Sequence, residues 1–370
     1  MLVMSDKRLQ KKILEIAEAV LNCPTAPYRE QILRKYIKAF CKERAIAVRQ
    51  DEMGNLITTY GTQYGKEVLA FEAHMDHPGF IVEEDSKNKK ASAVFYGGVE
   101  KDYFKNAKVR VFSDRRQVSG QIIKIKFERK KFIKRVWLKF EDEVKRGDLA
   151  MWDLPAFKVR RGKLYSRACD DCVGCAALLC LFDGLVQKGI KKKVSGIFTV
   201  AEEAGLHGAK FLCTNKEISR QTAIITIETS MQLPGAELGD GVVVRVGDLQ
   251  NVFNPDVTEF IRASAKRIKR EDKMFCYQRK LMDAGTCESS IYQDFGYLTG
   301  AVCIPLANYH NRNSKSKKIE AEYVSIADLV NLVKLLAGLV EDSSQFKKLM
   351  KTTSPKYISW RRSLGERFFW

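Results

Sequence analysis

Helix and strand patterns alternate through most of this chain. The one stretch where the alternation stops, from about residue 79 to residue 163, restricts the fold more than any other feature. There SAVFYGG, AKVRVFSD, SGQIIKIKF and RVWLKFED follow one another as short β-rich runs bounded by turn formers or charges. Strands without helices to cover them must cover one another, so the segment is expected to be an all-β insert. On its N-terminal side, ILEIAEAVLNC and REQILRKYIKAFCKERAI carry apolar residues at helical spacing. IAVRQDEMGNLITTYG reads as a hairpin turning at Met53-Gly54-Asn55, and EVLAFEAHMDHPGFIV as a buried strand ending in a polar cluster. Beyond residue 164 the alternation resumes with VSGIFTVAEE, GLHGAKFLCTN, TAIITIETS and FNPDVTEFIRASAKRI. The expected fold class is therefore α/β, a central mixed sheet flanked by helices, with the β domain inserted into it. The expected boundaries are 1–78 and 164–340 for the two parts of the α/β domain, 79–163 for the insert and 341–370 for a basic C-terminal tail.

Charge narrows the choice of partner. The chain has 64 basic and 45 acidic residues, a net charge of +19, which favours acidic ligands through long-range steering. The basic residues are spread through KFERKKFIKR, KRIKRED, NSKSKK and KYISWRRSLGER, and none of these is a nucleic-acid-binding module, so no nucleic-acid partner is expected. No apolar run is long enough to span a membrane, and MLVMSDKRLQKK lacks the apolar core of a signal peptide. A cytoplasmic location is expected, with the 10 cysteines mostly reduced and buried.

Some of those cysteines fall in RACDDCVGCAALLC, residues 167–180. Cys169, Cys172 and Cys175 are spaced as in an iron–sulfur run. The apolar, helix-favouring continuation after Gly174 instead puts them along a buried helix. Attention then shifts to the aspartates between them.

Acidic and histidine clusters recur where strands should end: His74-Met75-Asp76-His77, Asp170-Asp171, Glu202-Glu203, Glu228 and His310. Singly, each has an ordinary reading as a satisfied polar residue or a solvated helix start. Together, imidazoles and carboxylates following successive apolar runs are what a hydrolytic two-metal site needs, since open α/β sheets gather ligands outside the carboxyl ends of their strands.

The motifs DEMGNLI, AHMDHPGFIV, YGGVEKDYFKNAKVRV, RACDDCVGCAALL, FTVAEEAGLHGAK, LGDGVVVRVGD, DAGTCES and IPLANYHN, in this order, resemble the glutamyl-aminopeptidase family of metallopeptidases, which includes the tetrahedral (TET) aminopeptidases. The resemblance implies an α/β catalytic domain interrupted by a small β-barrel-like domain, peptide substrates, two divalent metal ions (zinc, or cobalt or manganese), and a homo-oligomer with contacts through the insert. Carried over residue by residue, it implies that His74, Asp170, Glu203, Glu228 and His310 are metal ligands, with Asp170 bridging. It further implies that Asp76 orients His74, that Glu202 is the general base, and that Gly285 and Thr286 shape the substrate pocket. The chain departs from the family's common pattern at His77, where an acid is usual, at Glu228, where Asp is usual, at His207, where Arg is frequent, and in YHN. His77 and His207 are expected to be structural, and Asp171 to cap the helix that follows.

Two other readings compete with a peptidase. One is a basic binding protein that keeps the fold without the chemistry. The other is a glycosidase, because relatives carry cellulase-like labels, although glycoside hydrolysis needs two opposed carboxylates and no metal, and the imidazoles at strand ends argue against it.

Overall fold

The computed structural model describes residues 6–65, 68–113, 116–127 and 133–346. Helices α1 (Asp6–Leu21) and α2 (Gln31–Glu43) precede strands β1 (Ala47–Gln50), β2 (Leu56–Tyr60) and β3 (Leu69–His74). Strands β4 (Gly79–Val82), β5 (Lys90–Tyr96), β6 (Lys108–Ser113), β7 (Arg116–Phe127), β8 (Ile133–Phe140) and β9 (Leu149–Trp152) close into a barrel. Then come β10 (Lys158–Arg160), β11 (Lys163–Ser166), α3 (Cys172–Gln187), β12 (Val194–Thr199), α4 (His207–Thr214), β13 (Ala223–Met231) and β14 (Val242–Gly247). The rest is α5 (Pro255–Glu271), β15 (Tyr277–Leu281), α6 (Glu288–Asp294), β16 (Thr299–Ala307), the short pair β17 (Arg312–Asn313) and β18 (Lys318–Ile319), β19 (Glu322–Ser325), and a last helix α7 over 326–346.

Among the described residues eleven strands form one mixed sheet in the order β1-β2-β12-β3-β13-β16-β19-β11-β10, with β14 pairing β16 and β15 pairing β14. Its centre is parallel: β3 runs with β12 and β13, and β13 with β16. Helices cover it, as expected for parallel strands. In α1, Ile13, Ile16, Ala17, Val20 and Leu21 are buried at helical spacing. α3 is apolar nearly all round and lies buried against α1 and β3. α5 starts where Asn254 accepts the backbone N–H groups of Asp256 and Val257, with Pro255 at its first position. The β1–β2 hairpin turns at Met53-Gly54-Asn55 as the sequence indicates. Gly54 has φ +105°, and the Asp51 carboxylate accepts the N–H groups of Gly54 and Asn55.

The barrel has its own core, in which Phe80, Phe95, Phe104 and Trp152 meet with ring centroids 4.7 to 6.2 Å apart. It ends at Trp152. Residues 158–163, expected within the insert, instead form β10 and begin β11, which joins the large sheet by pairing with β19. Alternating strand patterns do not reveal which sheet a strand joins. Most of the basic tail, 347–370, lies outside the described residues. Among the described residues no helix is long and apolar enough to cross a membrane.

Candidate metal centre and active site

The parallel strands bring the sequence-selected residues to one edge of the sheet. His74 ends β3 directly beside Thr199, the end of β12, and Glu202 and Glu203 lie in the loop that follows. Glu228 sits in β13, and His310 follows β16 in a tight turn. Asp170 comes from the segment between β11 and α3.

Asp170 is two-sided. Its Oδ1 lies 3.5 Å from His74 Nε2, and its Oδ2 lies 3.6 Å from His310 Nε2. His74, Asp170 and Glu228 offer donor atoms within 4.8 Å of one another, and so do Asp170, Glu203 and His310. His310 Nε2 and Glu203 Oε1 approach to 2.9 Å, yet Asp170 Oδ1 and His310 Nε2 are buried without an aligned hydrogen-bond partner among the described residues. Buried polar atoms that converge without bonding one another are expensive unless something occupies the point they face. Nitrogen and oxygen donors of this kind suit divalent zinc, cobalt or manganese, so the residues fit the metal pair that the sequence implies.

The supports differ in part from expectation. His74 Nδ1 donates to the backbone carbonyl of Asp76 at 2.9 Å, while the Asp76 carboxylate is 3.8 Å away. That carboxylate instead accepts the backbone N–H groups of Glu202 and Glu203, each at 3.0 Å. Asp76 thus orients His74 through its main chain and shapes the Glu202–Glu203 loop through its side chain. Asp171 occupies the cap position of α3 without a side-chain capping bond, because its Oδ1 accepts the Thr229 hydroxyl at 2.7 Å in the buried interior. His77 lies outside both donor groups. Its Nδ1 faces the Asp170 carbonyl at 2.5 Å and its Nε2 the Asn311 side chain at 3.0 Å. His207 is 2.7 Å from the Tyr28 hydroxyl. All ten cysteines are free. Cys172 and Cys175 lie in buried α3, Cys169 is buried just before it, and burial raises all three thiols above their ordinary range, so none is a ready thiolate.

Crowded carboxylates dominate the electrostatics. Burial lowers His74, but Asp170, Glu202, Glu288 and Asp76 outweigh it and hold the imidazole well above its usual range. Burial raises Glu203, but His310, His74 and His77 outweigh it and leave the carboxyl low. Glu202 is pushed well up, by burial first and then by Glu288, Glu203 and Glu228, against an opposing pull from His74. Such divergence among neighbouring acids is typical of functional sites.

A small pocket opens beside Glu228, lined by Arg245, Ser230, Gly285, Thr286 and Tyr309 among others. Arg245 is 3% exposed. Its Nη1 donates to Ser230 Oγ at 3.1 Å, and its Nε has no partner among the described residues.

Sequence reasoning missed Arg245, Glu72, Glu288 and Glu322. Glu72 and Glu288 flank the Thr199 hydroxyl at 2.7 and 3.0 Å, and Glu288 lies close to Glu202 and Glu228. An acid inside the otherwise apolar strand LAFEAH was the available signal for Glu72. Glu322 had none, since it sits 12 residues past His310 beyond an intervening hairpin.

Known proteins resemble this chain in sequence and fold. A putative aminopeptidase of Acetivibrio thermocellus is 28% identical over 335 residues, which cover 84% of this chain and 93% of that protein. The dodecamer PhTET1-12s is 26% identical, with a TM-score of 0.70, and the match covers 91% of this chain and 99% of that one. The Pyrococcus horikoshii TET1 peptidase, described as assembling into a tetrahedron or a large octahedral shell, is 24% identical with a TM-score of 0.72, covering 89% and 99%. Residues 138–335 match the M42 glutamyl aminopeptidase family across the second half of the large sheet and the strands, helices and turn that carry Asp170, Glu203, Glu228 and His310. The chain therefore belongs to the M42 glutamyl aminopeptidase family and is a metallo-aminopeptidase.

Proposed function

We propose that this enzyme removes acidic residues from the free N-termini of peptides at a site holding two divalent cations. His74, Asp170 and Glu228 would hold one ion, and Asp170, Glu203 and His310 the other. The observation that carries this reading is the Asp170 carboxylate, with one oxygen toward each of two buried imidazoles. When bound, such ions polarise a scissile carbonyl and make water acidic enough to supply hydroxide near neutral pH.

The chain's own residues supply the rest. Glu202 takes the water's proton and returns it to the leaving amine. The Asp76 carboxylate holds the Glu202 backbone in place by accepting its N–H. Arg245, always charged and short of a partner at Nε, meets the carboxylate of an acidic first side chain in the pocket beside Glu228. The net charge of +19 draws acidic peptides toward the enzyme. Subunit association through the barrel is part of the same proposal, supported by the dodecameric relative.

A panel of Glu-, Leu- and Lys-amides, assayed on metal-stripped enzyme before and after return of zinc, cobalt or manganese, tests the reading. Turnover is expected only with metal and highest on the Glu-amide, and Arg245→Met should remove that preference while sparing the Leu-amide. Equal kcat/KM on all three amides would remove the acidic preference, and full activity in the stripped enzyme would remove the metal site.

A further inference from the structure

We infer that Glu322 and His77 are positioning residues that form a double bracket between the Asp170 segment and the His310 turn, holding Asp170 and His310 at a set distance within the second donor group. The inference rests on the metal reading above and adds how the site keeps its shape.

His74 and Glu228 are held by the ladder of the large sheet. Asp170 and His310 are not. Asp170 lies in an irregular segment, and His310 lies in a turn where Asn308, His310 and Asn311 have φ of 55°, 55° and 62°. Asparagine and histidine enter that left-handed region more readily than most residues, and three of them within four positions make a tight turn whose shape its neighbours help to set. Glu322 is one such neighbour. Fully buried at the start of β19, it accepts the N–H groups of Cys169 at 2.7 Å and Asp170 at 3.2 Å on Oε2, and that of His310 at 2.8 Å on Oε1. Its strand lies between β11, which leads to Asp170, and β16, which leads to His310. One carboxyl group, anchored between the two strands, thus joins the segments that continue from them.

His77 closes the second side. Its ring is fully buried, with Nδ1–H donating to the Asp170 carbonyl and Nε2 against the Asn311 side chain next to His310. The Asp170 peptide is therefore held at its N–H by Glu322 and at its C=O by His77. The turn is held at His310 by the first residue and at Asn311 by the second.

The test uses Glu322→Gln, His77→Ala and His77→Asn in the full chain. In Glu322→Gln one carboxylate oxygen becomes an NH2 group, which cannot accept, so one side of the bracket opens. Amide hydrogen exchange on metal-free protein should quicken at least tenfold at Cys169 and Asp170 or at His310, while exchange in β3 and β13 stays as in wild type. With zinc or cobalt returned, affinity at one of the two ion positions should fall at least tenfold in Glu322→Gln and His77→Ala, with kcat reduced and KM little changed. His77→Asn keeps a donor where Nδ1 stands and should recover part of the loss. Unchanged exchange at all three amides together with two unchanged affinities would overturn the bracket. A wild type that binds no divalent ion would overturn the metal reading instead, and the exchange result would still decide the bracket.

Discussion

Asp76 Oδ1 accepts the backbone N–H of Glu202 at 3.0 Å, so a carboxylate at the end of one strand sets the position of the acid after the next. Its other oxygen does the same for Glu203. An amide can accept on only one side, so Asp76→Asn should disturb the loop while leaving His74 on the Asp76 carbonyl. The expected result is a fall in kcat on the order of tenfold to a hundredfold with metal content retained. Loss of the metals with an intact rate per remaining metal would show that Asp76 acts through His74 after all.

Glu202→Gln removes the proposed base and keeps the size of the side chain. It should retain wild-type metal content and lose turnover by on the order of a hundredfold or more. A residual rate near wild type, measured alongside metal content, would assign the base elsewhere.

Asp170→Asn should lose both ions and all activity, because an amide cannot supply the charge that two cations share. Replacing Cys169, Cys172 and Cys175 together with Ala should instead leave metal content intact and lower stability by about 1 kcal/mol apiece, the cost of deleting small buried groups. Metal analysis and denaturant titration separate the two outcomes. Loss of metal in the triple variant would return the thiols to consideration.

Glu72 gives a pH prediction. Burial lifts its carboxyl from 4.5 to about 8, against lowering by the Thr199 hydroxyl, so the folded chain keeps a proton that the unfolded chain releases above about 4.5. Stability from this group is full below the unfolded value and is lost as pH rises toward 8. Metal-free enzyme should therefore have a lower Tm at pH 9 than at pH 6. Glu72→Gln, which can still accept from Thr199, should flatten that slope. An identical slope in the variant would place the titration on another group.

The sequence was most informative where one strand end carries one candidate ligand. His74, Glu203, Glu228 and His310 each follow or lie within an apolar run, and parallel strands in register bring such positions together whatever the loops do between them. The all-β stretch was legible because its strands lack helical spacing, but β10 and β11 have the same local pattern and join the other sheet through pairing with β19, which is far away in sequence. Side-chain direction was harder still. Asp171 looks like a cap by position, yet its carboxylate turns inward to Thr229. Glu322 is an ordinary strand acid until the backbone places three N–H groups around it.

The barrel, with a core separate from that of the sheet, also reaches the chemistry directly. His310 Nδ1 donates to the carbonyl of Gly98 at 3.2 Å, in the loop between β5 and β6, and Arg312 pairs with Glu100 in that same loop. That contact turns Nδ1 to the barrel and leaves Nε2 facing Asp170 and Glu203. The inserted domain therefore acts as a lever on one imidazole. A rotation of the barrel against the sheet that breaks this bond would free the ring to hand its proton to the other nitrogen, so the seating of the barrel bears on which tautomer His310 presents to Asp170 and Glu203.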